Sequence, residues 1–400
     1  LLAVLLFGFA LIAAWNCARP AQDDELRYIG MADALLGRSP GPITLWSPPG
    51  YAAFLMPFRA AGFGPAALRL LNAALLAAAV FLFYRLLRAH VAPRLAAAGA
   101  AAFALYWPFW KMLPEVMTET LAVFLMTATL LAWSQLRREG APRWPWILVA
   151  ALALAWICLT RAIFGYALLL CAALFAAALL TSRRAFAGRL LVTCVLAAAL
   201  CAPWLGYTWS RTGRPFFWSA AGNMSLYWMT VPVNPWGDWH SPGEVVATPE
   251  FAPIRNFFAR TMALPEQEQD EAFRNAALKY LRMYPELYAR NVAANAGRLF
   301  FNTPYSFTPQ KMRTLFFAVP NAFLLVLLTL ALLALARRRD RWPDAAPPIL
   351  LGGAALAGTL LLSAFGRMLL PIVPAMLFVI VLGLQDLRLA APPPDAEGAR

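Results

Sequence analysis

Apolar positions along this chain come in unbroken runs near twenty residues long, not in the one-sided stripes of a soluble helix. The runs cover 1–18, 66–88, 94–112, 116–136, 145–160, 162–181, 187–208, 314–336, 347–363 and 367–386. Each is close to the ~20 residues that cross a bilayer. Leu, Ala and Phe fall on every face of these segments, as burial in lipid or among other helices requires. The fold class this predicts is an all-α polytopic membrane protein with about ten transmembrane helices. The first run starts at Leu1 without a methionine, and no small-x-small cleavage site precedes Arg19, so an uncleaved anchor is expected in place of a signal peptide.

Two polar stretches interrupt the pattern. In 19–65, Asp24 to Leu36 fits a short helix with Tyr28, Met31, Ala32, Leu35 and Leu36 on one face, stopped by Gly37 and Ser39-Pro40-Gly41-Pro42. Such a helix is expected to lie along the membrane surface. The stretch 209–313 is rich in Trp and Pro to about 253. From Pro265 its acidic PEQEQDE suits a helix N-terminus, and Tyr284-Pro285 divides two helices. The expected organisation is an N-terminal transmembrane module (1–208) carrying the external loop 19–65, a long extracytoplasmic loop (209–313), C-terminal transmembrane helices (314–387) and a disordered cytoplasmic tail (388–400).

Charge fixes the orientation. Arginines at 85, 88 and 94, at 137, 138 and 143, at 183, 184 and 189, at 337–339 and 341, and at 388 and 400 occupy every second gap between spans. Those gaps are cytoplasmic by the positive-inside rule, which places 19–65, 209–313 and the turns at 111–115, 160–162 and 364–367 outside. Most of the net charge of +14 is therefore a topology signal, and nucleic acid is not implied as a partner. A mean hydropathy of +0.60 and 14% charged residues exclude the soluble classes. The five cysteines lie in or beside apolar runs with no C-x-x-C and are expected to be unpaired core residues. His90 and His240 are far apart, leaving little from which to build a His-based zinc site or a Ser-His-Asp triad.

The chemistry concentrates between Arg19 and Tyr51, which holds Asp23, Asp24, Glu25 and Asp33, four of the 20 acidic residues. Carboxylates beside an apolar span sit in water or line a polar cavity. Asp24 is a candidate general base, or the N-cap of the short helix. Asp23 can fill the capping role instead, and Glu25 reads as a local cap or a solvated charge. Glu119, at the outer start of a span, either pairs with Lys111 or Arg161, or orients a substrate or holds a divalent ion such as Mg or Mn. Glu115, four residues earlier, is expected to share its helix face. Arg161, Arg367 and Lys111 lie at the height of lipid headgroups, where each can bind a phosphate or snorkel. His240, in Pro235-Trp236-Gly237-Asp238-Trp239-His240, sits among aromatics that either stack on sugar rings or form an interfacial belt.

Several segments together resemble the polyprenyl-phosphate-sugar-dependent membrane glycosyltransferases, which include the protein O-mannosyltransferases and the lipid A aminoarabinose transferases. They are Asp24-Glu25-x-Arg27-Tyr28, Ala34-Leu35-Leu36-Gly37, Ser47-Pro48-Pro49-Gly50-Tyr51, Leu70-Leu71-Asn72, Met117-Thr118-Glu119-Thr120-Leu121, Thr160-Arg161, Ala276-Ala277-Leu278-Lys279-Tyr280-Leu281 with Tyr284-Pro285, and Gly366-Arg367-Met368-Leu369-Leu370-Pro371. The order and spacing carry the likeness, which spans the chain and implies a GT-C fold. Glu115 beside Glu119 and Met368 in place of an aromatic depart from the family's usual pattern.

The resemblance implies an enzyme of the bacterial inner membrane with its site facing the periplasm. Its donor would be a sugar on undecaprenyl phosphate and its acceptor a lipid, glycan or protein. Asp24 and Glu119 would be the catalytic pair, Arg161, Arg367 and Lys111 would hold the donor phosphate, and Arg27, Tyr28, Tyr51, Glu115 and His240 would lie at the substrate. Alternatives are a polysaccharide ligase or polymerase using a diphosphate-linked glycan, and a transporter or lipid flippase, although mid-membrane ionisable positions and internal repeats are not evident.

Overall fold

The computed structural model describes residues 2–15, 19–39, 42–138, 143–181, 184–307 and 315–390, and among these no strand forms. The chain is a polytopic membrane protein. Helices α1 (Leu2–Ala14), α2 (Asp24–Leu35), α3 (Gly50–Ala60), α4 (Pro65–Arg88), α5 (Pro93–Ala104), α6 (Trp107–Trp110), α7 (Thr118–Arg137), α8 (Arg143–Thr160), α9 (Ala162–Ala178) and α10 (Arg184–Thr212) come first. Then α11 (Ala221–Thr230), α12 (Pro242–Ala247), α13 (Ala252–Met262), α14 (Glu266–Met283) and α15 (Pro285–Phe301) precede the last spans, α16 (Leu315–Ala336), α17 (Trp342–Leu362) and α18 (Val373–Ala390).

Among the described residues six helices, α4, α7, α8, α10, α16 and α17, are long and apolar enough to cross a membrane, and α1, α9 and α18 are shorter apolar helices. With the 12-residue α5 they match the ten segments expected from the apolar runs. Their packing passes from one to the next: α1 on α4, α4 on α7, α7 on α8, α8 on α10, α10 on α9, α9 on α17, α17 on α18, and α18 on α16. Apolar residues of these helices merge into one buried core, with Phe83, Phe103, Trp133 and Phe164 at its interior.

Three parts of the expected layout are corrected. The run 94–112 is not one helix: α5 ends at Ala104, Tyr106 is extended, and a single turn starts at Trp107. Pro108 accounts for the break, because it has no N–H to bond the Ala104 carbonyl and its ring would clash with that carbonyl in a continuous helix. The loop 19–65 holds a second helix, α3, besides the expected one. The long loop is helical well before Pro265, in α11, α12 and α13, which pack with α14 around Trp228, Phe251, Phe258 and Phe273 as a core of their own. Of the tail expected over 388–400, residues 391–400 lie outside the described residues, as does Cys17, while α18 runs on to Ala390.

The two ends of the bundle differ in chemistry. At one end, His90, Arg137 and Asp344 meet, joining the ends of α4, α7 and α17. Arg189 donates there to the Leu136 carbonyl, so the arginine-rich turns gather on a single side. The opposite end carries α2, α3 and the helices of the long loop.

Candidate active site

Four chain breaks meet at that opposite end. Helix α2 starts at Asp24, α7 starts at Thr118, Arg161 stands in extended backbone between α8 and α9, and the turn Gly366–Leu369 links α17 to α18. Each break points a charged side chain into a cavity of about 420 Å³, lined by Asp24, Arg27, Glu119, Arg161 and Arg367 with Tyr28 beside them.

Local packing explains why these side chains converge. Gly50, at the start of α3, lies so close to the α8–α9 break that a Cβ there would be 2.5 Å from the Leu159 carbonyl carbon. The Trp156 indole donates to the Gly50 carbonyl at 2.8 Å and pins the same junction. On the other side Asn72 of α4 donates to the carbonyls of Leu113 at 3.0 Å and Glu115 at 2.6 Å, fixing the turn that leads into Glu119.

The charges alternate. Arg27 donates to Asp24 Oδ1 at 2.7 Å, and Arg367 donates to Asp24 Oδ2 at 2.9 Å. Arg367 Nε is 3.7 Å from Glu119 Oε1, which also accepts from Arg161 at 3.0 Å. Arg161 donates as well to the Thr118 hydroxyl at 3.0 Å. Burial alone would push the Asp24 carboxyl up, but Arg27 and Arg367 outweigh it and hold the group below the usual carboxylate range. For Arg367 burial works the other way, and the Glu119 and Asp24 carboxylates still raise its pKa. The wall carries three guanidiniums to two carboxylates and so presents one excess positive charge.

Of the residues expected at the site, Asp24, Glu119, Arg161, Arg367, Arg27 and Tyr28 share this cavity. Tyr51 stands behind it, fully buried, with its ring edge-on to Tyr28 at 5.1 Å. Lys111 is not among the lining residues; its ammonium lies 4.5 Å from the centre of the Phe317 ring. His240 is likewise apart, buried against Trp228 and Phe251 in the core of the long loop.

Two expectations fail on geometry. Glu115 and Glu119 do not share a helix face, because α7 begins only at Thr118; Glu115 instead pairs with Arg19. Glu25 is neither solvated nor merely a cap. It is 2% exposed and accepts from the fully buried Arg69 at 3.0 Å, from Arg19 at 2.7 Å and from the Val116 amide at 2.8 Å. Asp23 holds the N-cap position with φ 43° and no capping hydrogen bond from its side chain. Arg69 escaped notice, although a charge within an apolar run is itself a signal.

A divalent ion does not fit this donor set. Both carboxylates are already matched by guanidiniums, and among the described residues no three or more His, Cys, Asp or Glu side chains converge on one point. At the far end, Ser134, His90 and Asp344 do form a chain, with 2.6 Å from His90 Nε2 to Ser134 Oγ and 3.5 Å from Nδ1 to Asp344. The adjoining space of about 20 Å³ holds a water at most, so these groups tie α4, α7 and α17 together instead of forming a hydrolytic site.

No family model and no curated protein matches the sequence. Among solved structures, the ligand-free oligosaccharyltransferase of the archaeon Archaeoglobus fulgidus is similar over 97% of this chain and 51% of its own, with 13% identity and a TM-score of 0.56. The oligosaccharyltransferase AglB of the same organism, in complex with an inhibitory peptide and a dolichol-phosphate, matches over 96% and 50% with 15% identity and a TM-score of 0.52. The chain thus spans about half the length of the archaeal proteins it resembles. ArnT from Cupriavidus metallidurans, bound to undecaprenyl phosphate, matches over 96% and 77% at 14% identity with a TM-score of 0.45. The archaeal matches show that the chain has a GT-C fold.

Proposed function

We propose that this protein is a membrane glycosyltransferase that moves a sugar from a polyprenyl phosphate, in a bacterium undecaprenyl phosphate, to an acceptor hydroxyl on the extracytoplasmic side of the inner membrane. The observation that carries this reading is the alternating row Arg27, Asp24, Arg367, Glu119, Arg161 along one cavity wall. A polyprenyl-phosphate sugar is a phosphodiester with one negative charge, which the single excess guanidinium neutralises. A diphosphate-linked glycan carries more charge than this wall offers, which favours the monophosphate donor over the ligase or polymerase reading. The archaeal protein's dolichol-phosphate supports the same donor class on this fold. The site's place opposite the arginine-rich turns supports an outward-facing reaction.

In the mechanism the donor phosphate engages Arg161 and Arg367. Withdrawing Arg367 from Asp24 weakens one of the three cations, Arg27, Arg367 and Arg161, that depress its basicity. Asp24 then takes the proton of the acceptor hydroxyl as its oxygen bonds to the anomeric carbon. The bond from that carbon to the phosphate oxygen breaks, and its electron pair leaves with polyprenyl phosphate, whose growing charge Arg161 and Arg367 stabilise. A single displacement inverts the anomeric carbon. Glu119 holds both arginines in place, and no step uses a metal.

The test is release of polyprenyl phosphate by the purified protein in nanodiscs, with membrane extract supplying acceptors. Asp24→Asn is expected to bind donor yet lose at least ~100-fold of turnover, as for removal of a general base. Full activity in that variant, or lipid diphosphate as the product, would overturn the assignment.

A further inference from the structure

A second cavity, of about 900 Å³, adjoins the first and shares Asp24, Arg27, Arg367, Trp46, Ser225 and Ser363 with it. Its chemistry is different. Where the first cavity has more guanidiniums than carboxylates, the described lining of the second reverses the balance. It adds Asp23, Glu25, Glu115 and Glu244 and only Arg19. Glu25 and Glu115 are matched by Arg19 and, behind the wall, by the buried Arg69, while Asp23 and Glu244 face solvent, the Glu244 side chain at 56% exposure.

Aromatic rings line the same space. Trp46 comes from the first external loop, Trp239 from the long loop and Phe365 from the α17–α18 turn. Trp46 and Trp239 are both held against the core of the long loop, so their positions are fixed by packing. Ser225, Ser241 and Ser363 also line this space. Ser241 and Glu244 are themselves locked in a reciprocal capping box at the start of α12.

Rings beside carboxylates and hydroxyls complement a sugar, whose C–H faces pack on aromatics and whose hydroxyls donate to carboxylates. Excess negative charge repels a phosphorylated ligand.

Resting on the transferase reading above, we propose that this second cavity takes the acceptor, and that the acceptor is the end of a glycan without phosphate near its reacting hydroxyl. Asp24, on the wall common to both cavities, meets the acceptor hydroxyl from one side and the donor carbon from the other. Trp239 is a specificity-determining residue and Glu244 a charge filter at the mouth.

The test measures binding without donor. Saturation-transfer NMR on the full chain in nanodiscs compares a neutral gluco-tetrasaccharide, the same tetrasaccharide phosphorylated, and a serine-rich peptide. The neutral glycan is expected to bind at least about tenfold more tightly than either other ligand. Trp239→Ala should weaken it about tenfold, and Glu244→Lys, on the exposed rim, should close the gap to the phosphorylated sugar. Equal or tighter binding of the phosphorylated sugar, preference for the peptide, or no response to either substitution overturns the inference. Because donor is absent, a failure of polyprenyl phosphate release would sink the transferase reading while leaving glycan binding intact. Turnover without glycan discrimination would sink only this assignment.

Discussion

Glu25 and Asp24 are neighbours with opposite surroundings, and each gives a prediction. Glu25 accepts from Arg69, whose side chain is fully buried, so the two form an ion pair held away from water. Glu25→Ala should therefore destabilise the protein by ~3 kcal/mol, the order of cost for breaking a buried ion pair from one side, seen as a lower apparent melting temperature in nanodiscs. For Glu25 burial raises the carboxyl's pKa and the hydrogen bonds from Arg69, Val116 and Arg19 more than reverse it, so this group, like Asp24, sits below its usual range. A depressed folded pKa adds stability above the unfolded value and gives it up as pH falls through the folded one. Thermal stability is accordingly expected to hold at neutral pH and to drop below about pH 4. An acid limb that stays flat would show that these carboxylates are not held as described.

Helix α3 shows how one element sets the geometry of another. Its first residue touches the backbone at Leu159 and Thr160, immediately before Arg161, and a Cβ at Gly50 would sit 2.5 to 2.8 Å from those atoms. Gly50→Ala should push α3 off the α8–α9 break at a cost of about 1–3 kcal/mol and displace Arg161 from Glu119. Donor affinity should fall with it, measurable as a raised KM for the polyprenyl-phosphate sugar; an unchanged KM would argue that the break is not positioned by α3. The apolar runs and the Tyr284-Pro285 break were legible in the sequence because both depend on local pattern. Helix α3 was not, since WSPPGYAAFLMPFRA mixes turn residues with apolar ones that have no single period. Helices α11 to α13 hid in the same way among Trp, Pro and Gly. At the site, Asp24, Glu119, Arg161 and Arg367 stood out as charges beside apolar runs, whereas the true partner of Glu25 lies 44 positions away and only tertiary packing brings it in.

At the scale of the molecule the two ends of the bundle must face opposite sides of the membrane if the donor reading is right. Nucleotide sugars belong to the cytoplasm, so a lipid-linked donor makes sense only when Asp24 and the long loop lie outside. Arginine placement makes that assignment from charge alone, and the structure gathers the turns at Arg137 and Asp344 on the side away from Asp24. Single cysteines test it. Gln267, on the long loop's α14, and Asp340, between α16 and α17, are both exposed, while Cys158, Cys171, Cys194 and Cys201 are buried and contribute little background once Cys17 is replaced by Ser. In right-side-out vesicles a membrane-impermeant maleimide should label Gln267→Cys and spare Asp340→Cys, and inverted vesicles should give the reverse. Labelling of Asp340→Cys from outside would turn the protein over and put the cavity in the cytoplasm. The donor would then have no reason to be lipid-linked, and the excess positive charge around Arg161 and Arg367 would have to serve a soluble phosphate.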